Sequence, residues 1–277
     1  MSIGAALDAK MTSLLSVFVT AKAAAVASAI APVALTAVTI YIMTIGFAVV
    51  RGDVQDPMST LIARVMRMAI VAGVALSIGE YGNVVVNGVM ALQSGLVAAM
   101  GGASSVGGLI DTMTDPYTKL VEALMSAGTA GLMPKFSLIL AAVIVAVAQA
   151  ILFPIALGMY LLAKVGLALL LAVGPIFVAC ALFPATQRFT ESWISATLSM
   201  VLTSVLLAAC IGMVTTLAGQ FATAVLAQVG ATAFLADVVA LLLLSVALVV
   251  VLLNVPVWTR IDPAFVRFVV TKLTVSE

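Results

Sequence analysis

Several long stretches of this chain carry no formal charge, among them residues 23–50, 81–110, 136–163, 165–187, 192–236 and 238–259. A helix needs about 20 predominantly apolar residues to cross a hydrocarbon core about 30 Å thick, and most of these runs are longer than that. Inside lipid every backbone polar group must find a partner within the protein, so only helices and closed barrels can cross. A barrel would show segments of about ten residues in strict alternation, and no such pattern is present. A soluble domain carries about 25% charged residues; here 8% are charged and 64% hydrophobic, leaving no polar face large enough to meet water. The expected fold is therefore all-α and polytopic.

Charge and side-chain chemistry narrow the function. The formal net charge is +1, and no basic stripe of the kind that tracks phosphates is visible. The chain has no histidine, which removes the commonest general base and the commonest metal ligand at neutral pH. Its two cysteines, Cys180 and Cys210, lie in apolar runs and read as small hydrophobes. No phosphate-binding spacing occurs. Neither a cofactor nor a metal is expected, and the chain does not read as an enzyme.

Along the chain, residues 1–22 read as an N-terminal amphipathic helix on the outer side, with Ile3, Leu7, Met11, Leu14 and Phe18 at helical spacing; a lead-in to the first span fits equally well. Asp8, a lone Lys10 and Lys22 make a poor signal peptide. Residues 23–80 hold two spans, one in Val33–Val50 and one starting near Leu61 or Met68, joined by a loop carrying Arg51, Arg64 and Arg67. Residues 81–135 are Gly-, Ser- and Asn-rich and read as a large outer loop with helical patches at 84–100 and 117–126. Residues 136–259 hold the remaining spans, at 136–160, 193–219 and 238–257, and 260–277 form a basic tail.

The segment LAVGPIFVACALFPATQRFTESW, 171–193, interrupts this scheme. Gly174-Pro175 predicts a break inside an apolar run. If 165–183 enters the bilayer there and turns back, Arg51, Arg64, Arg67, Lys164, Arg188, Arg260, Arg267 and Lys272 all fall on the cytoplasmic side. Lys10, Lys22, Lys119 and Lys135 then fall outside, as the positive-inside rule requires. A full sixth span would put the densest basic loop on the wrong side. The preferred reading has five spans and one re-entrant segment, with the N-terminus outside and the C-terminus inside.

The stretch from Leu169 to Leu202 resembles the signature region of the TrbL-type inner-membrane subunits of type IV secretion systems. In that family a Gly-Pro and an aromatic in an apolar run lead to a short basic loop and a tryptophan. Gly174, Pro175, Phe177, Phe183, Arg188, Phe189 and Trp193 match that pattern. The layout of two spans, a large outer loop and a C-terminal cluster of spans is also the family's. The resemblance implies a channel or scaffold subunit in a bacterial inner membrane, engaged in DNA or protein translocation and pilus assembly. The implied partners are major and minor pilins, a periplasmic scaffold subunit, secretion ATPases, further copies of the chain, and a passing substrate. The competing class is an autonomous secondary transporter. That class shows matching helix breaks in its two halves, whereas only one break is visible here.

Charges at the expected membrane boundaries form a second set of candidates. Arg188 and Glu191 are spaced i, i+3 and can meet on one helix face. They either order the cytoplasmic mouth or anchor to headgroups, with Trp193 as a neighbouring belt residue. Lys164 reads as snorkelling to the cytoplasmic interface, Asp237 as marking the outer end of the last span, and Glu80 as lying at the outer edge of the second. Ala23, Ala27 and Ala31 form a small-residue face suited to helix packing, within the chain or between subunits. Gly101-Gly102 and Gly107-Gly108 fit either a hinge or a linker.

Overall fold

The computed structural model describes residues 3–52, 62, 66, 70–73, 81–101, 106–129, 135–183, 185–227 and 234–260. Its order is α1 (Ile3–Val50), a π-helical turn (Tyr81–Val86) leading into α2 (Asn87–Gly101), α3 (Val106–Thr129), α4 (Phe136–Cys180), α5 (Gln187–Ala227) and α6 (Phe234–Trp258). No strand occurs among the described residues. Among the described residues, five stretches are long and apolar enough to cross a membrane: Ala6–Val50, Tyr81–Met100, Phe136–Cys180, Gln187–Val225 and Val238–Trp258. The protein is an all-α polytopic chain. Most of the stretch expected to form the second span, together with Arg64, Arg67, Glu80, Arg267, Lys272 and the side chain of Asp237, lies outside the described residues.

Three of these helices, α1, α4 and α5, are unusually long. At 1.5 Å per residue, α4 measures roughly 67 Å and α5 roughly 61 Å, each about twice the hydrocarbon thickness. The break expected at Gly174-Pro175 is not there: α4 continues through both residues to Cys180. The chain reverses later, over 181–186, and 165–180 is the second part of the helix that begins at Phe136 rather than a separate re-entrant element.

The N-terminal segment likewise is not a separate helix, since α1 runs unbroken into the first span. The face it buries within the chain carries Gly4, Asp8, Val19, Ala23, Ala27 and Ala34, and Leu14 and Phe18 are exposed. Burial of Ala23 and Ala27 shows that the small-residue face is used within the chain.

Two compact units can be distinguished. The first comprises Met1–Thr12, Leu92–Val165 and Met200–Arg260. Its helices bury seams at spacings of three and four. Those seams are Met113, Tyr117, Leu120 and Leu124 on α3, Ala141, Val145, Ala148, Leu152 and Ala156 on α4, and Leu241, Ser245, Leu248, Leu252 and Val255 on α6. Alanines dominate the α4 seam, which lets backbones approach where lipid offers no hydrophobic drive for association. Hydrogen bonds between elements tie the unit, among them Gln93 Nε2 to Ser204 Oγ (2.6 Å), Gln149 Nε2 to Thr118 Oγ1 (3.0 Å), and the hydroxyl pairs Tyr117–Ser245 (2.9 Å) and Thr203–Thr259 (2.7 Å). In lipid such bonds contribute about 0.6–2 kcal/mol each.

The second unit comprises Ser13–Ala91, Gly166–Ser199 and Ile261–Glu277. Around the reversal, Ala179 and Leu182 are buried with Ile30, Val38, Tyr41, Val71, Ala72, Val178 and Phe183 packed on them. The Tyr41 and Phe183 rings meet edge to face at 5.8 Å, an arrangement favoured by the aromatic quadrupole.

Candidate functional site

A proline inside a helix lacks the N–H that would bond the carbonyl four residues back, which costs about 3 kcal/mol or more. For Pro175 that carbonyl belongs to Leu171. The hydroxyl of Tyr81 supplies the missing donor, at 2.7 Å from the Leu171 oxygen. The phenol reaches this carbonyl because residue 174 has no side chain. A Cβ at Gly174 would overlap the Tyr81 hydroxyl and come within 2.9 Å of Trp193 Cζ2. Pro175 thus creates the free acceptor and Gly174 makes room for its partner.

The indole closes the other side of the same turn. Trp193 Nε1 donates to the Leu170 carbonyl (2.9 Å), and its ring stacks on Phe177 at 6.3 Å with planes 10° apart. Trp193 is buried, 7% exposed, and so is a packed residue of this unit rather than a membrane-belt tryptophan. Gly174, Phe177 and Trp193 converge there, with Pro175 beside them.

The end of α4 is closed as completely. A helix leaves its last four carbonyls without intrahelical donors. Here Thr190 Oγ1 donates to Phe177 (2.6 Å), Ala181 N to Val178, Leu182 N to Ala179, and Thr186 Oγ1 to Cys180 (2.7 Å). Both threonines come from the returning chain, so the cap of α4 and the start of α5 are one structure. Phe183 joins the Tyr41 cluster instead of the tryptophan. Arg188 and Phe189 are exposed, while Glu191 is buried, so Arg188 and Glu191 sit in different surroundings despite their spacing.

A second polar site lies in the first unit. Asp8 accepts from the Tyr160 hydroxyl and from the Lys164 ammonium; Lys164 also donates to Thr12 Oγ1 and to Tyr160 Oη. Nearby, Gly4 N donates to Asp111 Oδ1 at 2.8 Å. A Cβ on Gly4 would come 2.5 Å from the Gly107 oxygen, and one on Gly107 would come 2.6 Å from both Asp8 Cβ and the Gly4 oxygen. Gly107 therefore serves a close helix contact. Lys164 is ion-paired inside the protein rather than reaching for headgroups. Asp8 and Lys164 also cannot lie on opposite sides of a bilayer, which removes the expected division of Lys10 from Lys164.

Tyr81, Thr186, Thr190, Asp8 and Tyr160 are the members of these sites that the sequence did not single out. Pro175 implied an acceptor in need of a donor, but nothing local to it pointed to a tyrosine more than ninety residues earlier. Among the described residues, no group of three or more Cys, Asp or Glu side chains converges as metal ligands would.

Comparison with known proteins gives a consistent match. The model of a family described as "TrbL/VirB6 plasmid conjugal transfer protein" matches residues 38–255, which include Tyr81, Lys164 and the whole corner from Leu170 to Trp193, but not Asp8. A Brucella abortus relative, named type IV secretion system protein VirB6, is 24% identical over 217 residues, covering 75% of this chain and 62% of the relative. Bordetella pertussis type IV secretion system protein PtlD is 29% identical over 175 residues, covering 60% of this chain and 37% of the relative. The chain thus spans less than two thirds of the length of either relative.

Proposed function

Since this chain belongs to the TrbL/VirB6 family, matched over residues 38–255, we propose that it is a multi-pass inner-membrane subunit of a type IV secretion system. It serves there as channel or scaffold in the transfer of DNA or protein and in pilus assembly. The observation that carries this reading is the family match across the corner itself, where a buried tryptophan, a Gly-Pro and a distant tyrosine fix the reversal between α4 and α5. A helical hairpin whose closing carbonyls find donors on the returning chain is suited to holding partners at a fixed geometry. The exposed Arg188 and Phe189 at the start of α5 offer the surface that partner subunits would touch.

The partners in this reading are major and minor pilins, a periplasmic scaffold subunit, further copies of the chain and, indirectly, secretion ATPases. Lys164 and its partner Asp8 are assigned to the cytoplasmic side together with Arg260. The test is mild detergent extraction from the native membrane followed by mass spectrometry, paired with a transfer assay in a strain lacking the gene. Co-purification with secretion subunits and loss of transfer on deletion are expected. A chain that extracts alone, in a strain whose transfer survives the deletion, would overturn the reading in favour of an autonomous transporter.

A further inference from the structure

The first unit carries its own depth scale. Trp258 and Arg260 are both exposed at the end of α6, a pairing that marks a membrane surface. Thr259 between them is bonded to Thr203, so that residue of α5 stands at the same level. Counted from there at 1.5 Å per residue, Ser245 lies roughly 21 Å along α6, and Gly219 and Thr223 lie roughly 24 and 30 Å along α5. Tyr117 of α3 bonds Ser245, and Lys119 shares a pocket with Gly219 and Thr223, so α3 runs away from the Arg260 surface. Asp115, Lys119 and Glu122 then stand roughly 18, 24 and 28 Å from it. The hydrocarbon is about 30 Å thick, which puts this stretch of α3 just beneath the headgroups of the opposite leaflet.

Charged side chains at that depth are rejected by hydrocarbon and reach instead for protein, water or a headgroup. Asp115, Lys119 and Glu122 are all exposed, whereas the exposed Val239 and Leu243 at the same depth on α6 are apolar and suit acyl chains. The charged side is concave. A pocket of about 270 Å³ has Asp115, Lys119 and Thr223 as polar wall and Pro116, Leu120 and Ala222 as apolar wall, the mixture expected of a site for an amphiphile. Lys119 has a carboxylate on either side along its helix, Asp115 at i−4 and Glu122 at i+3. Among the described residues it forms an ion pair with neither.

We infer that this pocket holds the headgroup of one phospholipid bearing a primary ammonium, the phosphatidylethanolamine class. Lys119 and the Thr223 hydroxyl take its phosphate. Glu122, nearer the surface, takes its ammonium, and the glycerol and upper acyl chains lie against Pro116, Leu120 and Ala222. The charges select this occupant. From Lys119 to Glu122 the signs follow the order in which such a headgroup leaves the bilayer, phosphate first and ammonium beyond it. Two carboxylates and one ammonium leave the site net negative, so it repels a net-anionic lipid and accepts a zwitterion. A choline headgroup carries no N–H to donate to a carboxylate. The inference rests on the membrane placement in the proposed function, and not on secretion.

The experiment offers the full chain, purified in mild detergent, equal amounts of dioleoyl-phosphatidylethanolamine, -phosphatidylcholine and -phosphatidylglycerol, and reads bound lipid by native mass spectrometry. The phosphatidylethanolamine adduct should exceed each of the others by about tenfold, as for one charge-assisted hydrogen bond. Lys119→Met should abolish the adduct. Glu122→Gln should lower it to the level of phosphatidylcholine, and Lys10→Met, at an exposed lysine outside the pocket, should change neither. Positions 119 and 122 are exposed, so the unfolding temperature of these variants should stay that of the wild type. Equal adducts from the three lipids, no adduct at all, or a preference for phosphatidylglycerol overturns the selectivity. A preference that survives Lys119→Met overturns the site. Displacement of the lipid by an equal concentration of soluble phosphoethanolamine overturns the lipid as occupant in favour of a free headgroup. Alkaline carbonate washing of native membranes is run in parallel. Release of the chain there would sink the membrane placement itself, whereas an embedded chain without lipid preference sinks only the pocket's assignment.

Discussion

The Tyr81 hydroxyl donates to the Leu171 carbonyl, the acceptor that Pro175 leaves without its helical N–H. This pairing yields a test that separates the hydrogen bond from the rest of the packing. Tyr81→Phe keeps the ring and leaves a buried carbonyl unsatisfied, which costs about 1–3 kcal/mol. Pro175→Ala restores a backbone donor to the same carbonyl. In the Pro175→Ala background, Tyr81→Phe should cost much less, giving a coupling well above the few tenths of a kcal/mol seen for independent sites. Thermal unfolding of the four detergent-solubilised variants measures it, and additive costs would refute the link between Tyr81 and Pro175.

At Gly174 the expected defect is steric. Gly174→Ala places a methyl against the Tyr81 hydroxyl and Trp193, and overpacking of this kind typically costs about 1–3 kcal/mol. A lower Tm is expected, with part of the loss recovered in Gly174→Ala/Tyr81→Phe, where the hydroxyl is gone. No recovery would mean that the clash lies with the indole alone.

Residues 188 and 193 should separate stability from contact. Trp193→Ala removes a buried ring with its hydrogen bond and should destabilise the protein by about 3 kcal/mol, lowering Tm, assembly and transfer together. Arg188 is exposed, so Arg188→Ala should leave Tm within about 0.5 kcal/mol equivalent while reducing co-purification of partners and transfer. Wild-type transfer by Arg188→Ala would remove Arg188 from the interaction surface.

The Asp8–Lys164 pair is 10% and 17% exposed at its two side chains. Breaking such a pair on one side strands the other charge, at a cost of about 3–5 kcal/mol. Asp8→Asn or Lys164→Met alone should therefore lower Tm more than the two together. Asp8→Cys with Lys164→Cys, in a chain lacking the native cysteines, should cross-link with a short bifunctional thiol reagent, since the ion pair bridges a gap longer than a disulfide spans. Absence of that cross-link would reopen the placement of the N-terminus relative to α4.

What the sequence revealed and what it concealed divide along a physical line. The apolar runs at 136–163, 192–236 and 238–259 announced helices long enough to cross a membrane, because hydrophobicity is a local property of the chain. Gly174-Pro175 suggested a break for an equally local reason, the lost N–H and the glycine. Continuity of α4 is restored by a hydroxyl ninety positions earlier in the chain, which no window around residue 175 contains. Trp193 and Lys164 were misread in the same way. Both are residue types that favour an interface, yet one bonds Leu170 and the other Asp8, partners that only the fold brings near. Phe177 and Trp193, by contrast, were recognisable through the family pattern, and they stack.

A backbone N–H cannot leave the helix it belongs to, but a tyrosine carried on another segment can. By exchanging one for the other, Pro175 leaves α4 with a fastening at that turn that can be undone without unwinding the helix. Withdrawal of residue 81 would expose the Leu171 oxygen and free the helix to bend there. Whether this hairpin stands straight is then set by the position of a segment remote in the chain, and anything that binds or displaces that segment acts on the hairpin directly.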